Sequence, residues 1–206
     1  MNDVYEKTYQ YYLSRFDKID LKMVEAMLGV HLEKNDIIIP LFKKPYKVSA
    51  EGITGPDGNK PALYINALLF KYLYMCPQVR PANREWASYK DLKDSGPLTV
   101  FFANDVERPI SEHFSGKQQE LINAGKKLGG FTTDLESAYD LALQFDALPE
   151  LPLLLLFNDA DDEFPSSCSL LFEACAESYL DPECLVMVAG YLVNGLLKAG
   201  DDIVDD

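Results

Sequence analysis

The sequence is poor in positive charge. Of its 206 residues, 19 are Lys or Arg and 33 are Asp or Glu, which gives a formal net charge of −14. A surface this negative repels phosphate backbones and anionic lipids, so we expect no nucleic-acid partner. The pattern of a secretory signal is also missing, and the longest apolar run, residues 185–193, is shorter than the ~20 residues of a membrane span. We therefore predict a cytoplasmic protein without membrane contact.

Residues that usually build metal and cofactor sites are scarce as well. There are two histidines, His31 and His113, and four cysteines without a C-x-x-C pair. Neither set alone forms a typical zinc or iron–sulfur site, and we expect reduced, buried thiols. No glycine-rich phosphate loop of the G-x-G-x-x-G or Walker kind occurs. The sequence therefore assigns no cofactor and no catalytic residue.

The composition of the chain is that of an ordinary globular protein, with 48% apolar residues. No linker or repeat divides it, so we predict a single domain over residues 1–206. Asp20 is expected to cap a short helix that Gly29 ends, and residues 30–50 indicate a small antiparallel meander in which Pro40 marks an edge or a bulge. An earlier helix is predicted from an aromatic stripe at helical spacing: Tyr5, Tyr9, Tyr12 and Phe16.

The middle of the chain predicts further helices. Residues 61–75 are apolar on nearly all sides, which is typical of a buried helix. A second helical region is expected to end at Pro109. Ser115 and Gln118 fit the capping box of a third helix, which Gly129 and its neighbouring glycine should stop.

The C-terminal third carries the clearest strand patterns. Residues 139–146 alternate between apolar and polar, residues 153–157 form a continuous apolar run typical of a central strand, and residues 169–172 predict a third strand. Asp181 is expected to cap a last helix that Gly200 ends. Together these patterns predict an α+β fold: a mainly antiparallel sheet with N-terminal helices and a covering C-terminal helix.

The acidic loop, residues 158–165, is the most unusual local feature. Carboxylates this close repel one another, and the repulsion is relieved by solvent, by a bound cation, by a basic partner or by protonation. The loop is not an EF-hand, because glycine is missing at its sixth position and glutamate at its twelfth. It is either a solvated loop that caps turns, a partner- or ligand-binding loop, or a site for Mg²⁺ or Ca²⁺ on Asp159, Asp161 and Glu163. Its polar candidate residues are Asn158, Asp159, Asp161, Asp162 and Glu163.

Three residues outside this loop are further candidates for binding. Cys168 follows the acidic loop, and neighbouring carboxylates are expected to raise its pKa and weaken it as a nucleophile. Arg84 lies near Trp86, and a guanidinium beside an indole can hold a carboxylate or phosphate. In the alternative, Trp86 anchors a long loop to the core and the arginine pairs with the surplus acids of the chain.

One stretch resembles a known family. The run from Pro152 to Pro165, with Trp86 and the glycine pair at Gly129, is similar to an uncharacterised domain family of anaerobic bacteria and archaea, DUF3786. The resemblance implies a context in anaerobic redox or corrinoid metabolism, with a redox or corrinoid protein as partner. Some relatives carry a cysteine-rich iron–sulfur segment, which this sequence lacks. The resemblance implies no activity and no catalytic residues.

Three functional hypotheses follow. The first is a cytoplasmic binding or accessory domain that meets a redox, corrinoid or iron–sulfur partner through residues 158–169, which include the acidic loop. The second is a metal-dependent enzyme in which the carboxylates of that loop hold a divalent ion. The third is a structural homo-oligomer in which the loop serves solubility alone.

Overall fold

Two helices open the fold of the computed structural model, which describes residues 2–133 and 139–204. Helix α1 is Asn2–Leu13 and helix α2 is Leu21–Leu28. The Asp20 carboxylate accepts the Met23 N–H at 3.1 Å, and Gly29 ends α2 with a φ of +64°. The stripe prediction holds for Tyr9 and Phe16, which are buried, whereas the side chain of Tyr5 lies outside the described residues.

The predicted meander is an antiparallel sheet with strand order β1-β2-β3-β4. The strands are β1 (His31–Glu33), β2 (Asp36–Leu41), β3 (Lys44–Ser49) and β4 (Gly52–Thr54). Pro40 lies in β2 beyond the end of β1, opposite Pro45 of β3. Its missing N–H therefore interrupts no hydrogen bond to β1, which satisfies the edge condition expected for a proline in a strand.

The middle of the chain is helical, but its boundaries differ from the predictions. The elements are α3 (Leu63–Tyr74), α4 (Thr99–Phe102) and α5 (Arg108–Phe114). The prediction that Pro109 ends the helix is wrong. A π-helical turn over Ala103–Glu107 joins α4 to α5, and the Arg108 N–H bonds to the Ala103 carbonyl five residues back. Proline is tolerated directly after this turn because the first positions of α5 have no α-helical donor to lose.

The predicted capping box does not form either. Helix α6 spans Gln118–Lys127 and has no side-chain cap at its start. The Gln118 amide instead donates to the Asp140 carbonyl at 2.8 Å, so a tertiary contact replaces the local one. The predicted stop at the glycine pair is close to the observed end of α6, and Gly129 has a φ of +80°.

A second antiparallel sheet has the order β5-β9-β8-β7-β6. Its strands are β5 (Trp86–Ser88), β6 (Phe131–Thr132), β7 (Leu141–Leu148), β8 (Leu151–Asn158) and β9 (Ser167–Glu173). The apolar run forms β8 at the centre, as predicted, and residues 139–146 and 169–172 fall in or beside its neighbours. The short strand β5 was not predicted, because three residues carry too little alternation to indicate a strand.

Helix α7, Pro182–Val204, covers the core and runs past its predicted end. Gly200 lies inside the helix, where a Cβ atom would come within 2.9 Å of His113 Nε2 and 3.1 Å of a Phe114 ring carbon. The glycine therefore allows α5 to approach closely and does not end α7. Residues 201–204 continue the helix, and residues 205 and 206 lie outside the described part.

Helix α7 also meets the length and composition of a membrane span over Pro182–Asp201. Half of that stretch is buried within the protein, including Leu185, Val188 and Leu192, which are fully enclosed. The core helix of a soluble protein has this combination of apolar composition and burial. One cluster of buried residues joins α7 to both sheets and to the N-terminal helices.

Candidate functional site

Two of the four carboxylates of the acidic loop, Asp159 and Asp161, bind backbone amides of the protein. Asp159 Oδ1 accepts the N–H of Gly116 at 2.6 Å and that of Ala160 at 2.8 Å. Asp161 Oδ1 accepts the N–H groups of Glu163 and Phe164 at 2.8 and 2.7 Å, and these bonds lower the pKa of Asp161. The loop therefore contains the turn-capping chemistry that one of the alternatives predicted.

The remaining polar groups of the acidic loop are exposed to solvent or bind the segment next to the loop. Asn158 accepts the Asp140 N–H at 3.1 Å. Asp162 and Glu163 are exposed, and the ring of Phe164 is 67% exposed. Within residues 2–133 and 139–204, no group of three or more His, Cys, Asp or Glu side chains is arranged to hold a metal ion. The structure thus does not bring Asp159, Asp161 and Glu163 together as a ligand set.

Cys168 lies half-buried on β9 beside Glu107, the last residue of the π-helical turn. Burial, together with the Glu107 charge, raises the pKa of the Cys168 thiol well above its ordinary value. Burial also raises the pKa of Glu107, whose Oε1 accepts the Leu170 N–H at 3.0 Å. A thiol that stays protonated is a weak nucleophile and a weak metal ligand.

Arg84 and Trp86 both have partners inside the protein. Arg84 bridges Glu150 at 2.6 Å and Glu173 at 2.7 Å, and only 12% and 13% of these two glutamate side chains are exposed. Trp86 packs with Leu171 on a small apolar cluster of the second sheet, formed by Ala142, Leu154 and Leu156. This arrangement matches the alternative in which the arginine pairs with acids of the chain.

A different surface brings together residues that the sequence patterns did not connect. Two neighbouring cavities, of about 470 and 190 Å³, share Lys44 and Tyr191 in their linings. Tyr46 of β3 lines the larger cavity and Tyr64 of α3 lines the smaller, while Tyr191 comes from α7. We call this surface, formed by Lys44, Tyr46, Tyr64 and Tyr191 with the two cavities, the tyrosine groove.

The hydroxyl groups of the tyrosine groove interact with one another. Tyr46 is buried, and its hydroxyl neighbours that of Tyr191. Burial, with the neighbouring Tyr191 as the second cause, raises the pKa of Tyr46 far above its ordinary value. Burial and the nearby Tyr191 also raise the pKa of Tyr64. The hydroxyls of Tyr46 and Tyr64 consequently remain protonated at neutral pH and are available as hydrogen-bond donors.

A strained turn places Lys44 in this groove. The turn between β2 and β3 consists of Phe42 and Lys43, whose φ values are +47° and +63°. Positive φ at both positions is the geometry of a type I′ hairpin, which usually contains Asn or Gly because larger side chains are strained there. The Phe42 ring compensates by stacking on Tyr191 with centroids 5.3 Å apart. Strain of this kind concentrates at functional sites.

Lysines dominate the charged lining of the groove. Lys60 contributes to the larger cavity and Lys198 to the smaller, in addition to the shared Lys44. Of the described residues in the two linings, Asp57 is the one carboxylate, and its two oxygens accept the backbone and side-chain N–H groups of Asn59 at 3.0 Å. The groove therefore carries local positive charge in a chain with a net charge of −14.

The sequence patterns missed this groove because its residues come from β3, α3 and α7, which are far apart in the chain. Two weak signals were present. Lys43 and Lys44 are adjacent basic residues in an acidic chain, and Tyr191 is a polar-tipped residue within an apolar helix. Neither signal indicates a site until the fold brings β3 and α7 together.

The fold and this groove define an α+β domain of two antiparallel sheets with a polar, aromatic cavity between β3, α3 and α7. A family model described as a domain of unknown function, DUF3786, matches residues 20–195. The chain belongs to this family, and the resemblance seen in the sequence is confirmed. The matched range contains Lys44, Tyr46, Tyr64 and Tyr191. No curated protein and no solved structure matches the chain.

Proposed function

We propose that this chain is a cytoplasmic accessory domain that binds a small molecule in the tyrosine groove. The convergence of Tyr46, Tyr64 and Tyr191 over two cavities that share Lys44 carries this proposal. The larger cavity, of about 470 Å³, fits the size range of small-ligand sites, which are mostly pre-formed and lined by apolar and aromatic groups with a few polar ones. The smaller cavity, of about 190 Å³, adds to it through the shared Lys44 and Tyr191.

The residues of the groove favour binding over catalysis. Among the described residues that line it there is no Cys, His, Ser or Glu, and Asp57 is engaged by Asn59. A nucleophile such as Ser or Cys paired with a His or Glu general base is a usual signature of covalent catalysis, and these described residues form no such pair. The protonated tyrosines and the lysines instead offer fixed donors that orient a bound molecule.

A fragment screen by ligand-observed NMR tests this proposal. Ala62 lies exposed at the start of α3 and lines the larger cavity, so Ala62→Trp should fill the groove without disturbing the core. Ala82→Trp, at an exposed position outside both cavity linings, is the matched control. We expect fragments that bind the wild type and Ala82→Trp but lose binding to Ala62→Trp. Equal binding to all three proteins would refute the groove as the binding site.

The acidic loop is a second candidate, for a partner protein. Phe164 exposes 67% of its surface beside the outward-facing Asp162 and Glu163. An exposed aromatic ring next to charges is a common centre of protein interfaces. The family resemblance proposes a redox or corrinoid protein of an anaerobic organism as the partner. Asn158, Asp159 and Asp161 would shape this surface, whereas Cys168, Arg84 and Trp86 are engaged with the protein itself.

Binding of purified corrinoid and iron–sulfur proteins encoded beside this gene tests the loop. The triple variant Asp162→Lys, Glu163→Lys, Phe164→Ser should weaken binding at least tenfold in biolayer interferometry. Asp17→Lys with Glu51→Lys, at exposed acids near the first sheet, reverses the same number of charges and should change binding little. If both variants lose affinity equally, net charge alone explains the interaction. Light scattering on the same samples tests the homo-oligomer hypothesis.

A further inference from the structure

We infer that the ligand of the tyrosine groove carries an oxyanion, a carboxylate or a phosphate, on an apolar body. This inference rests on the proposed function and names the ligand class. It follows from a count of the hydrogen-bond donors and acceptors in the groove, from the placement of the lysines, and from the apolar walls of the larger cavity.

The tyrosines supply more donors than they use. The Tyr46 and Tyr191 hydroxyls are neighbours, and a hydrogen bond between them would consume one of their two hydroxyl protons and leave the other to donate outward. In the described part of the chain, the Tyr64 hydroxyl forms no hydrogen bond. At least two O–H donors therefore remain for a ligand placed between these three tyrosines.

The lysines add donors and no acceptor. No described residue forms an ion pair with Lys44 or Lys198, so their ammonium groups are open to a ligand. Lys60 lies 4.4 Å from the centre of the Tyr9 ring, at the other end of the larger cavity. The single carboxylate, Asp57, is satisfied by Asn59. A group that accepts several hydrogen bonds and carries negative charge fits this lining.

Further lysines near the groove support the assignment of an anionic ligand. Lys43 lies against Gly129, and Lys127 Nζ donates to the Ala199 carbonyl at 3.4 Å, so two more cations are next in the chain to the lining residues Lys44 and Leu128. Acidic residues outnumber basic ones 33 to 19 in the whole chain. A local excess of lysine therefore produces the attraction that an anion needs to approach a negative protein.

The walls of the larger cavity indicate the chemistry of the uncharged part of the ligand. Its walls include Pro56, Pro61, Ala62 and Ile65, none of which offers a side-chain hydrogen bond. Leu128 contributes a similar surface to the smaller cavity. An apolar body, such as an aromatic ring, buries these walls while its charged group reaches Lys44 and the tyrosine hydroxyls.

Four probes that share a phenyl ring test this assignment by titration calorimetry and NMR: phenyl phosphate, phenylacetate, 2-phenylethanol and phenethylamine. We expect the two anions to bind at least tenfold more tightly than the alcohol and the amine, with the phosphate and carboxylate arms showing which oxyanion is preferred. Lys44→Met should reduce anion affinity about tenfold, and Lys44→Arg should retain most of it. Lys22→Met, at an exposed site on α2, is the matched control and should leave affinity unchanged.

The outcomes separate this inference from the proposed function. If the alcohol or the amine binds as tightly as the anions, and Ala62→Trp abolishes that binding, the oxyanion assignment is overturned while the groove remains a binding site. If Lys44→Met and Lys22→Met have equal effects, the assignment is overturned as well. If neither these probes nor the fragment screen finds binding that Ala62→Trp removes, both proposals fail.

Discussion

The acidic loop and the tyrosine groove differ in where their polar groups find partners. In the loop, Asp159 and Asp161 bind backbone amides of residues near them in the chain or in the adjoining turn at Gly116. In the groove, hydroxyl and ammonium groups come from three distant elements and retain unused donors. The dense charge of the acidic loop thus belongs to a turn. The tyrosine groove, the stronger candidate for binding, depends on tertiary contacts.

The largest difference between the two regions is expected in a pair of phenylalanine substitutions. Phe42 is buried, stacks on Tyr191 and contacts Phe145, while Phe164 is mostly exposed. Phe42→Ala should lower the free energy of unfolding by about 3–5 kcal/mol, as expected for a large buried side chain. Phe164→Ala should change it by less than about 0.5 kcal/mol. Urea unfolding monitored by circular dichroism measures both.

A small effect of Phe42→Ala would show that the stack on Tyr191 does not support the groove. The position also has a positive φ, so alanine retains the backbone strain and loses the ring that offsets it. Phe42→Leu is a useful intermediate, because it keeps apolar volume without the aromatic stack. We expect the free energy of unfolding of Phe42→Leu to fall between those of the wild type and Phe42→Ala.

The sequence predicted the parts of the fold that depend on local chemistry. Asp20 and Asp181 cap helices as expected, each accepting the N–H of the residue three positions on. The alternating run and the continuous apolar run became β7 and β8, since burial on one or both faces is written directly into the side-chain pattern. The α+β class followed from these elements.

Predictions failed where a distant contact replaced a local rule. Gly200 lies inside α7 because α5 passes within contact distance, which no local pattern records. Gln118 donates to Asp140 and does not complete a box with Ser115. The tyrosine groove likewise depends on contacts between distant parts of the chain, because the proximity of Tyr46 and Tyr191 depends on how α7 packs against β3.

A second contrast compares two aspartates within the acidic loop. Asp159 ties the loop to Gly116 between α5 and α6, whereas Asp162 is exposed and does not contribute to the hydrogen bonds described above. Asp159→Ala should lower the free energy of unfolding by about 1 kcal/mol, the typical value of one net hydrogen bond. Asp162→Ala should change it by no more than about 0.5 kcal/mol.

Chemical denaturation of both variants in the same buffer checks this contrast. Asp159→Asn adds a further control, since an amide oxygen can still accept the Gly116 N–H while the charge is removed. We expect the asparagine variant to lie closer to the wild type than the alanine variant. Equal stability of Asp159→Ala and Asp162→Ala would contradict the architectural role of the Gly116 contact.

The smallest expected effect is a local pH dependence at Asp161. Hydrogen bonds from Phe164 and Glu163 lower the pKa of this carboxyl in the folded protein. A lowered folded-state pKa means that the ionised form stabilises the turn above the ordinary aspartate pKa, and that this support is lost as pH falls through the lower folded value. Because Asp161 is exposed, the change should be confined to the loop and absent from global stability.

Amide proton shifts of Glu163 and Phe164 should report this loss in the pH window below the ordinary aspartate pKa. In Asp161→Asn the same amides should show no titration step in that window, since the acceptor no longer ionises. Tyr46, whose pKa is raised by burial, should remain protonated throughout, so its signals provide an internal reference. A carboxylate that is bound by the backbone of its own loop affects only that loop when it titrates. A local titration step therefore distinguishes a turn-capping carboxylate from one that is free to bind a charged partner.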